Sequence, residues 1–212
     1  MVRKTGDKPA LIEAQPAWEI AQLFPSQGDW SEDEYLALTS ETNHFVELVD
    51  GNIEVLPMPT LTHQLIVGFL SRLLSDFVTS RELGTVVFGP LRVRLRPRNI
   101  REPDIIFMHK DNTHRAAEEL WERADLVIEV VSKDRKSRRR DLIIKRNAYA
   151  DARIPEYWIV DPQEEQITVL KLTGKSYKVH GQWAGKEIAA SALLQGFQVQ
   201  VDKVFEAGKK RA

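Results

Sequence analysis

The chain has 212 residues, 42% hydrophobic and 29% charged, a balance that suits a packed core and excludes a disordered or low-complexity protein. It has no cysteine, which removes disulfides and cysteine-ligated zinc, and no run near the roughly 20 apolar residues that span a bilayer. A net charge of −1 argues against a uniformly basic nucleic-acid coat, although Lys133, Arg135, Lys136, Arg138, Arg139 and Arg140 cluster within KDRKSRRR.

Residues 1–29 are polar, punctuated by proline and without a period, and read as a tail or irregular arm. Their opening, MVRKTGDKPALIEAQ, lacks the apolar core of a secretory signal, so the expectation is a soluble, cytoplasmic protein. Order is expected from Ser31, where Ser31-Glu-Asp-Glu34 forms a capping box ahead of Tyr35, Leu36 and Leu38. HFVELVDGNIEVLP follows as two short strands joined by Asp50-Gly51, a hairpin signal.

From Thr62 to about Thr79 the period becomes helical, with Leu65, Ile66, Phe69, Leu70, Leu73, Leu74, Phe77 and Val78 on one stripe. TVVFGPLRVRLRP reads as two strands around Gly89-Pro90, the second placing Arg92, Arg94 and Arg96 on one face. PDIIFM (103–108) is a further strand, and a polar helix is expected near residues 114–122. DLVIEVV (125–131) has the continuous apolar character of a buried central strand. A helix from Arg138 to about Asp151 and the strand EYWIVDP (156–162) come next. ITVLKL, SYKVH and a closing FQVQV read as an antiparallel tail on the same sheet. Without a repeat or linker, residues 30–205 are expected to form one α/β domain with a mixed sheet.

Three carboxylates stand inside apolar strand-type runs: Glu47 in FVELV, Asp104 before Ile-Ile-Phe, and Glu129 in LVIEVV. Burying an ionised carboxylate costs several kcal/mol unless a cation or hydrogen-bond donors compensate it. A divalent metal is one such cation, since magnesium takes hard oxygen ligands from one or two carboxylates. A lone acid in a strand is more often salt-bridged or at a solvated strand end, and Glu129, apolar on both sides, fits that explanation least. Asp141, Lys145 and Tyr149, four apart, share a helix face, which reads either as an ordinary surface ion pair or as a lysine aimed at a metal site. His44, His109, His114 and His180 have no metal-ligand spacing; His63 lies at the edge of the apolar stripe. Tyr157 and Trp158, within EYWIV, read as core rather than as base-stacking platforms.

In order along the chain stand Glu47-Leu-Val-Asp-Gly51, a proline-containing turn leading to His63, Arg101-Glu-Pro-Asp104-Ile, Leu126-Val-Ile-Glu129-Val-Val-Ser132, Asp141-xxx-Lys145-xxx-Tyr149, and Ile154-Pro-Glu-Tyr-Trp-Ile-Val-Asp-Pro162. That series resembles the bacterial Uma-type family of restriction-endonuclease-like proteins, a branch of the PD-(D/E)XK nuclease superfamily, over roughly residues 30–175. The resemblance implies a restriction-endonuclease-like α/β core: a mixed central sheet flanked by helices, with additional antiparallel strands. It assigns Asp104 and Glu129 as ligands of Mg²⁺ (or Mn²⁺), Glu47 as an auxiliary ligand, and His63 and Tyr149 as neighbours of the site. Two residues after Glu129, where the superfamily's usual lysine stands, this chain has Val131; Lys145 is then the expected site lysine, with Lys133 the competitor.

The activity that the resemblance implies is metal-assisted hydrolysis of phosphodiesters in nucleic acid, DNA in first place, with Lys145 positioning or deprotonating water or stabilising the oxyanion. By analogy the active form is a homodimer. The basic segment, with Arg138 and Arg139, and the Arg92/Arg94/Arg96 face are candidate phosphate contacts or simply solvated charge. A catalytically silent binding or accessory module on the same fold, and a purely structural dimer, are the competing readings.

Overall fold

Side-chain capping starts the first helix where the sequence places it. The computed structural model describes residues 24–41 and 45–209; most of the expected tail, and His44, lie outside them. Helix α1 (Glu32–Glu41) opens on a reciprocal box in which Glu34 N–H donates to Ser31 Oγ at 3.2 Å and Ser31 N–H donates to Glu34 Oε2 at 2.8 Å. Order begins before Ser31: Trp30 is buried with Tyr35, Leu48 and Ile100, and Gln27 Oε1 accepts from Ile53 N–H at 2.8 Å. Polarity alone puts the tail boundary at residue 29, and a single aromatic anchor moves it.

Strands β1 (Val46–Val49) and β2 (Asn52–Val55) meet at Asp50 and Gly51, with φ of 53° and 77°. Positive φ at both central positions is what a two-residue hairpin turn matching the strand twist needs. Helix α2 (Leu61–Ser80) is capped by Thr60, whose hydroxyl accepts from His63 N–H, and buries Ile66, Val67, Leu70, Leu74 and Val78. Then come β3 (Gly84–Phe88), β4 (Arg92–Arg96), β5 (Asn99–Arg101) and β6 (Ile105–His109).

The polar helix expected near 114–122 does not form. A short 3₁₀ turn (Lys110–Arg115) leads into β7 (Leu120–Trp121), whose two residues are buried and pair with Arg92 and Val93. Burying two large apolar side chains outweighs the weak helical preference of the polar residues around them. Strand β8 (Leu126–Val130) is buried throughout. The helical segment after it is three pieces: α3 (Arg135–Arg139), a π-turn (Arg140–Ile144) and α4 (Lys145–Asp151). Strands β9 (Glu156–Asp161), β10 (Gln166–Thr173), β11 (Ser176–Ala184), β12 (Ile188–Ala190) and β13 (Gln198–Gln200) lead to α5 (Val201–Lys209).

Six strands form the main sheet in the order β11-β10-β9-β8-β6-β3, and five form a second in the order β2-β1-β5-β4-β7. In the main sheet β8 and β9 are parallel, joined by the helical crossover that parallel strands require, and the other neighbours are antiparallel. The expected tail therefore divides. β10 and β11 extend the main sheet, whereas FQVQV supplies β13, which pairs with β12 in a separate two-stranded sheet, and Val201 opens a helix. Val201, Val204 and Phe205 bury at helical spacing in the same core cluster as α2, and that packing wins over the alternation of QVQV.

Alternate residues of the main sheet feed two cores. Ile105, Phe107, Ile128 and Trp158 face α2 and α5; Ile106, Val127, Tyr157 and Val131 face α4 through Tyr149 and Ala150. Tyr157 and Trp158 are both fully buried, core residues as the sequence implies. By the same alternation Asp104 and Glu129 belong to the α4 side. Among the described residues no helix is long and apolar enough to cross a membrane.

Candidate active site

Strand pairing brings the two acids together. β6 and β8 pair as Ile105↔Ile128, Ile106↔Val127 and Phe107↔Leu126, and the same register extended by one residue sets Asp104 opposite Glu129. Asp104 Oδ2 accepts the backbone N–H of Val130 at 2.7 Å, which fixes its carboxylate at the end of β8. Both acids line a cavity of about 140 Å³, together with His63, Arg140, Asp141 and Lys145.

Glu129 is 3% exposed, and its Oε1 accepts from Lys145 Nζ at 2.8 Å and from the Tyr149 hydroxyl at 2.5 Å. Burial pushes its carboxyl up to about 8; the Lys145 charge pulls the other way, and the charges of Asp104 and Asp141 add to the rise. Burial opposes the Lys145 charge, but Glu129 and Glu47 hold the ammonium above the usual lysine range. The Tyr149 phenol is raised by burial and by the same carboxylates, so it stays a donor.

Glu47 is fully buried and does not line the cavity. Its Oε2 binds Arg101 at 2.7 Å; its Oε1 accepts from Glu102 N–H at 3.0 Å and lies 3.4 Å from Lys145 Nζ. Burial would raise it, yet Lys145 and Arg101 together hold it at about 2. Both oxygens are engaged in holding Arg101 and Lys145, not presented to the cavity as the auxiliary-ligand assignment would have it. His63 Nε2 lies 3.1 Å from Asp104 Oδ2, and its Nδ1 is buried without a hydrogen-bond partner among the described residues. Burial opposes the His63 imidazolium, but the bond to Asp104 and the charges of Asp104 and Glu129 outweigh it and raise its pKa.

The basic segment separates into different fates. Arg138 forms a two-pronged pair with Asp161 at 2.8 and 2.6 Å, Arg139 and Lys133 are exposed, and Arg140 turns into the cavity. Lys133 lines a neighbouring hollow instead of reaching the acids, and Val131, in the superfamily's lysine position, is buried in the core. The arginines of β4 are ion-paired: Arg92 with Glu102, Arg94 with Glu32 and Glu122, Arg96 with Asp50. Asp141 and Lys145 are not a solvated surface pair, since both are 2% exposed.

Sequence reasoning missed Arg101, the buried counter-ion of Glu47, and it missed Arg140 as a cavity residue. The first had a signal, because a glutamate buried between apolar neighbours demands a cation and Arg101 sits in the strand that pairs with β1. The second had none, because a regular helix places residue 140 on another face.

The acids fit a hard divalent cation. One oxygen of each carboxylate is tethered, while Asp104 Oδ1 and Glu129 Oε2 carry no hydrogen bond among the described residues, and both residues line the small cavity. No third His, Asp or Glu converges with them as a ligand among the described residues, which leaves a two-carboxylate set of the kind magnesium completes with water and phosphate.

Comparison with known proteins places the fold and the family. The fold is similar to the crystal structure of a putative nuclease belonging to DUF820 from Anabaena variabilis ATCC 29413, with a TM-score of 0.67 and 17% identity over 84% of this chain and 98% of that one. At that identity the likeness carries the mixed α/β fold and no activity. No curated protein matches the chain. The model of the Uma2 family, described as "Putative restriction endonuclease", matches residues 32–202. The chain belongs to the Uma2 family of restriction-endonuclease-like proteins.

Proposed function

We propose that this chain is a metal-dependent nuclease that hydrolyses phosphodiester bonds of DNA, its catalytic unit the domain over residues 30–205. The observation that carries this reading is the convergence of Asp104 and Glu129 in one cavity with Lys145 Nζ 2.8 Å from Glu129. Asp104 and Glu129 would hold Mg²⁺ or Mn²⁺. Such an ion supplies Lewis-acid stabilisation of the phosphate and lowers the pKa of water beside it.

The chain's own groups divide the remaining work. Val130 N–H and His63 orient the Asp104 carboxylate, and Tyr149 and Lys145 orient that of Glu129. Lys145 is held as an ammonium between two carboxylates, so it is a poor proton acceptor and acts through its charge, countering the negative charge that builds on phosphate. Glu47 and Arg101 position that lysine from below. Cutting both strands calls for two such sites, so the proposed active form is a homodimer.

The test is cleavage of plasmid, linear and single-stranded substrates with and without Mg²⁺ or Mn²⁺, beside Asp104→Ala. Metal-dependent cleavage that vanishes in the variant supports the reading; equal background from both proteins overturns it.

A further inference from the structure

The charges lining the cavity are unevenly committed. Its acids are Glu102, Asp104, Glu129 and Asp141; its permanent cations are Lys145 and Arg140, and His63 is already bonded to Asp104. Lys145 is already paired with Glu129 and Glu47. Arg140 is bound through Nε alone, to Asp141 Oδ1 at 3.1 Å. Its two terminal nitrogens have no hydrogen-bond partner among the described residues, although its side chain is only 14% exposed. Burial disfavours the guanidinium charge, but Asp141 and Glu47 restore it and raise its pKa, so Arg140 is a cation. A half-buried guanidinium pinned at one nitrogen, with its fork open to an acid-lined cavity, is prepared for an anion with two oxygens to offer.

The backbone explains how Arg140 reaches this place. Lys145 N–H donates to Arg140 O, five residues back instead of four. In a regular helix Asp141 would lie one turn below Lys145 and Arg140 would be rotated away by about 100°. The extra residue of the π-turn sets Arg140 one turn below Lys145, so the segment presents Arg140, Asp141 and Lys145 to one cavity.

We propose that Arg140 and the π-turn form an oxyanion-binding site that takes a phosphate of the bound strand at the acid pair. For the identity of its natural ligand, a phosphodiester, the proposal rests on the nuclease reading; the site itself rests on the open guanidinium. Without Arg140 the cavity meets an incoming phosphate with carboxylates whose other cationic neighbours, Lys145 and His63, are already paired with acids.

Two measurements on the full chain test this separately from turnover. The first is binding of inorganic phosphate without metal, followed by phosphorus NMR titration, for wild type, Arg140→Gln, Arg140→Lys and Arg72→Gln. Arg72 is exposed on α2 and controls for the loss of one charge. Expected is a loss of roughly ten- to hundredfold in Arg140→Gln, partial recovery in Arg140→Lys and wild-type affinity in Arg72→Gln. Phosphate affinity unchanged in Arg140→Gln, or lowered equally by Arg72→Gln, overturns the proposal. Should Arg140→Gln misfold by circular dichroism, Arg140→Lys decides: wild-type affinity there overturns the demand for a two-pronged fork. The second measurement is KM and kcat on DNA with Mg²⁺, where the open fork predicts a raised KM in Arg140→Gln. Phosphate binding that depends on Arg140 in a protein that cleaves nothing would uphold the site and sink the nuclease reading.

Discussion

Lys145 Nζ stands 2.8 Å from Glu129 Oε1, with 3% and 4% of the two side chains exposed, so a buried ion pair fastens helix α4 to strand β8. The ammonium is also 3.4 Å from Glu47 on the second sheet. One lysine thus ties together three elements distant in sequence, and the acid pair is only as well placed as that lysine.

Replacing Lys145 by methionine keeps the volume and removes the cation. Glu129 and Glu47 are then left buried with less compensation, and breaking such a pair costs roughly 3–5 kcal/mol. Urea denaturation should show that loss, with cleavage abolished. Lys145→Arg keeps the charge, but its planar fork does not fit a site built around a compact ammonium, so it should be more stable than the methionine variant and still impaired. A methionine variant within about 1 kcal/mol of wild type would contradict the buried network.

The pH dependence of stability carries two opposed signatures. Glu47, held at about 2 against an ordinary 4.5, contributes stability that is complete above about 4.5 and lost as the pH falls toward 2. Glu129, held at about 8, has the reverse sign: it favours the folded state in acid, and that contribution fades as the pH rises from 4.5 through 8. Glu47→Gln should therefore be less stable at neutral pH and show a shallower decline between pH 4.5 and 2. An acid limb identical to that of wild type would show that Glu47 is not the group responsible.

The acids were legible in the sequence because a carboxylate among apolar strand residues is an anomaly that physics must explain. Asp104 and Glu129 needed no contact information beyond adjacent antiparallel strands. Lys145 was nearly legible, since its spacing to Asp141 and Tyr149 fixes a helix face, although spacing alone could not say whether that face meets water or the sheet. Arg138, Arg139 and Arg140 are where reading failed. Three consecutive arginines carry one compositional signal, yet one grips Asp161, one is exposed and one enters the cavity. The π-turn that begins at Arg140 sets it apart from the other two. Val201 is a similar case, where strand alternation and helical spacing overlap and the packing of α5 decides.

Metal binding should be linked to a proton. With Glu129 pushed up to about 8, a proton competes with Lys145 for that carboxylate, and a metal cation can take it only where no proton is bound. Affinity for Mg²⁺ should rise between pH 6 and 9, and calorimetry in buffers of different ionisation enthalpy should show proton release. Tyr149→Phe removes the 2.5 Å bond that favours the ionised carboxylate, so its binding curve should move to higher pH. Mg²⁺ binding that is flat across this range in wild type would mean that Glu129 is already ionised or is not a ligand.

Salt dependence would separate arginines available to DNA from those that hold the fold. Each phosphate neutralised by a free cation adds about 0.9 to the slope of log affinity against log salt for duplex DNA. Arg135, Lys136 and Arg139 are exposed on α3 and free to contribute, whereas both prongs of Arg138 are occupied by Asp161. Removing Arg135, Lys136 and Arg139 together should therefore flatten the slope without a change in melting temperature. Arg138→Gln should do the reverse: it leaves Asp161, whose carboxyl is held below the usual range with Arg138 among its partners, short of a cation, and it destabilises the crossover while the slope stays put. Because the exposed trio carries the same sequence signal as Arg138, equal slope changes from both variants would mean that the Arg138–Asp161 pair opens on DNA.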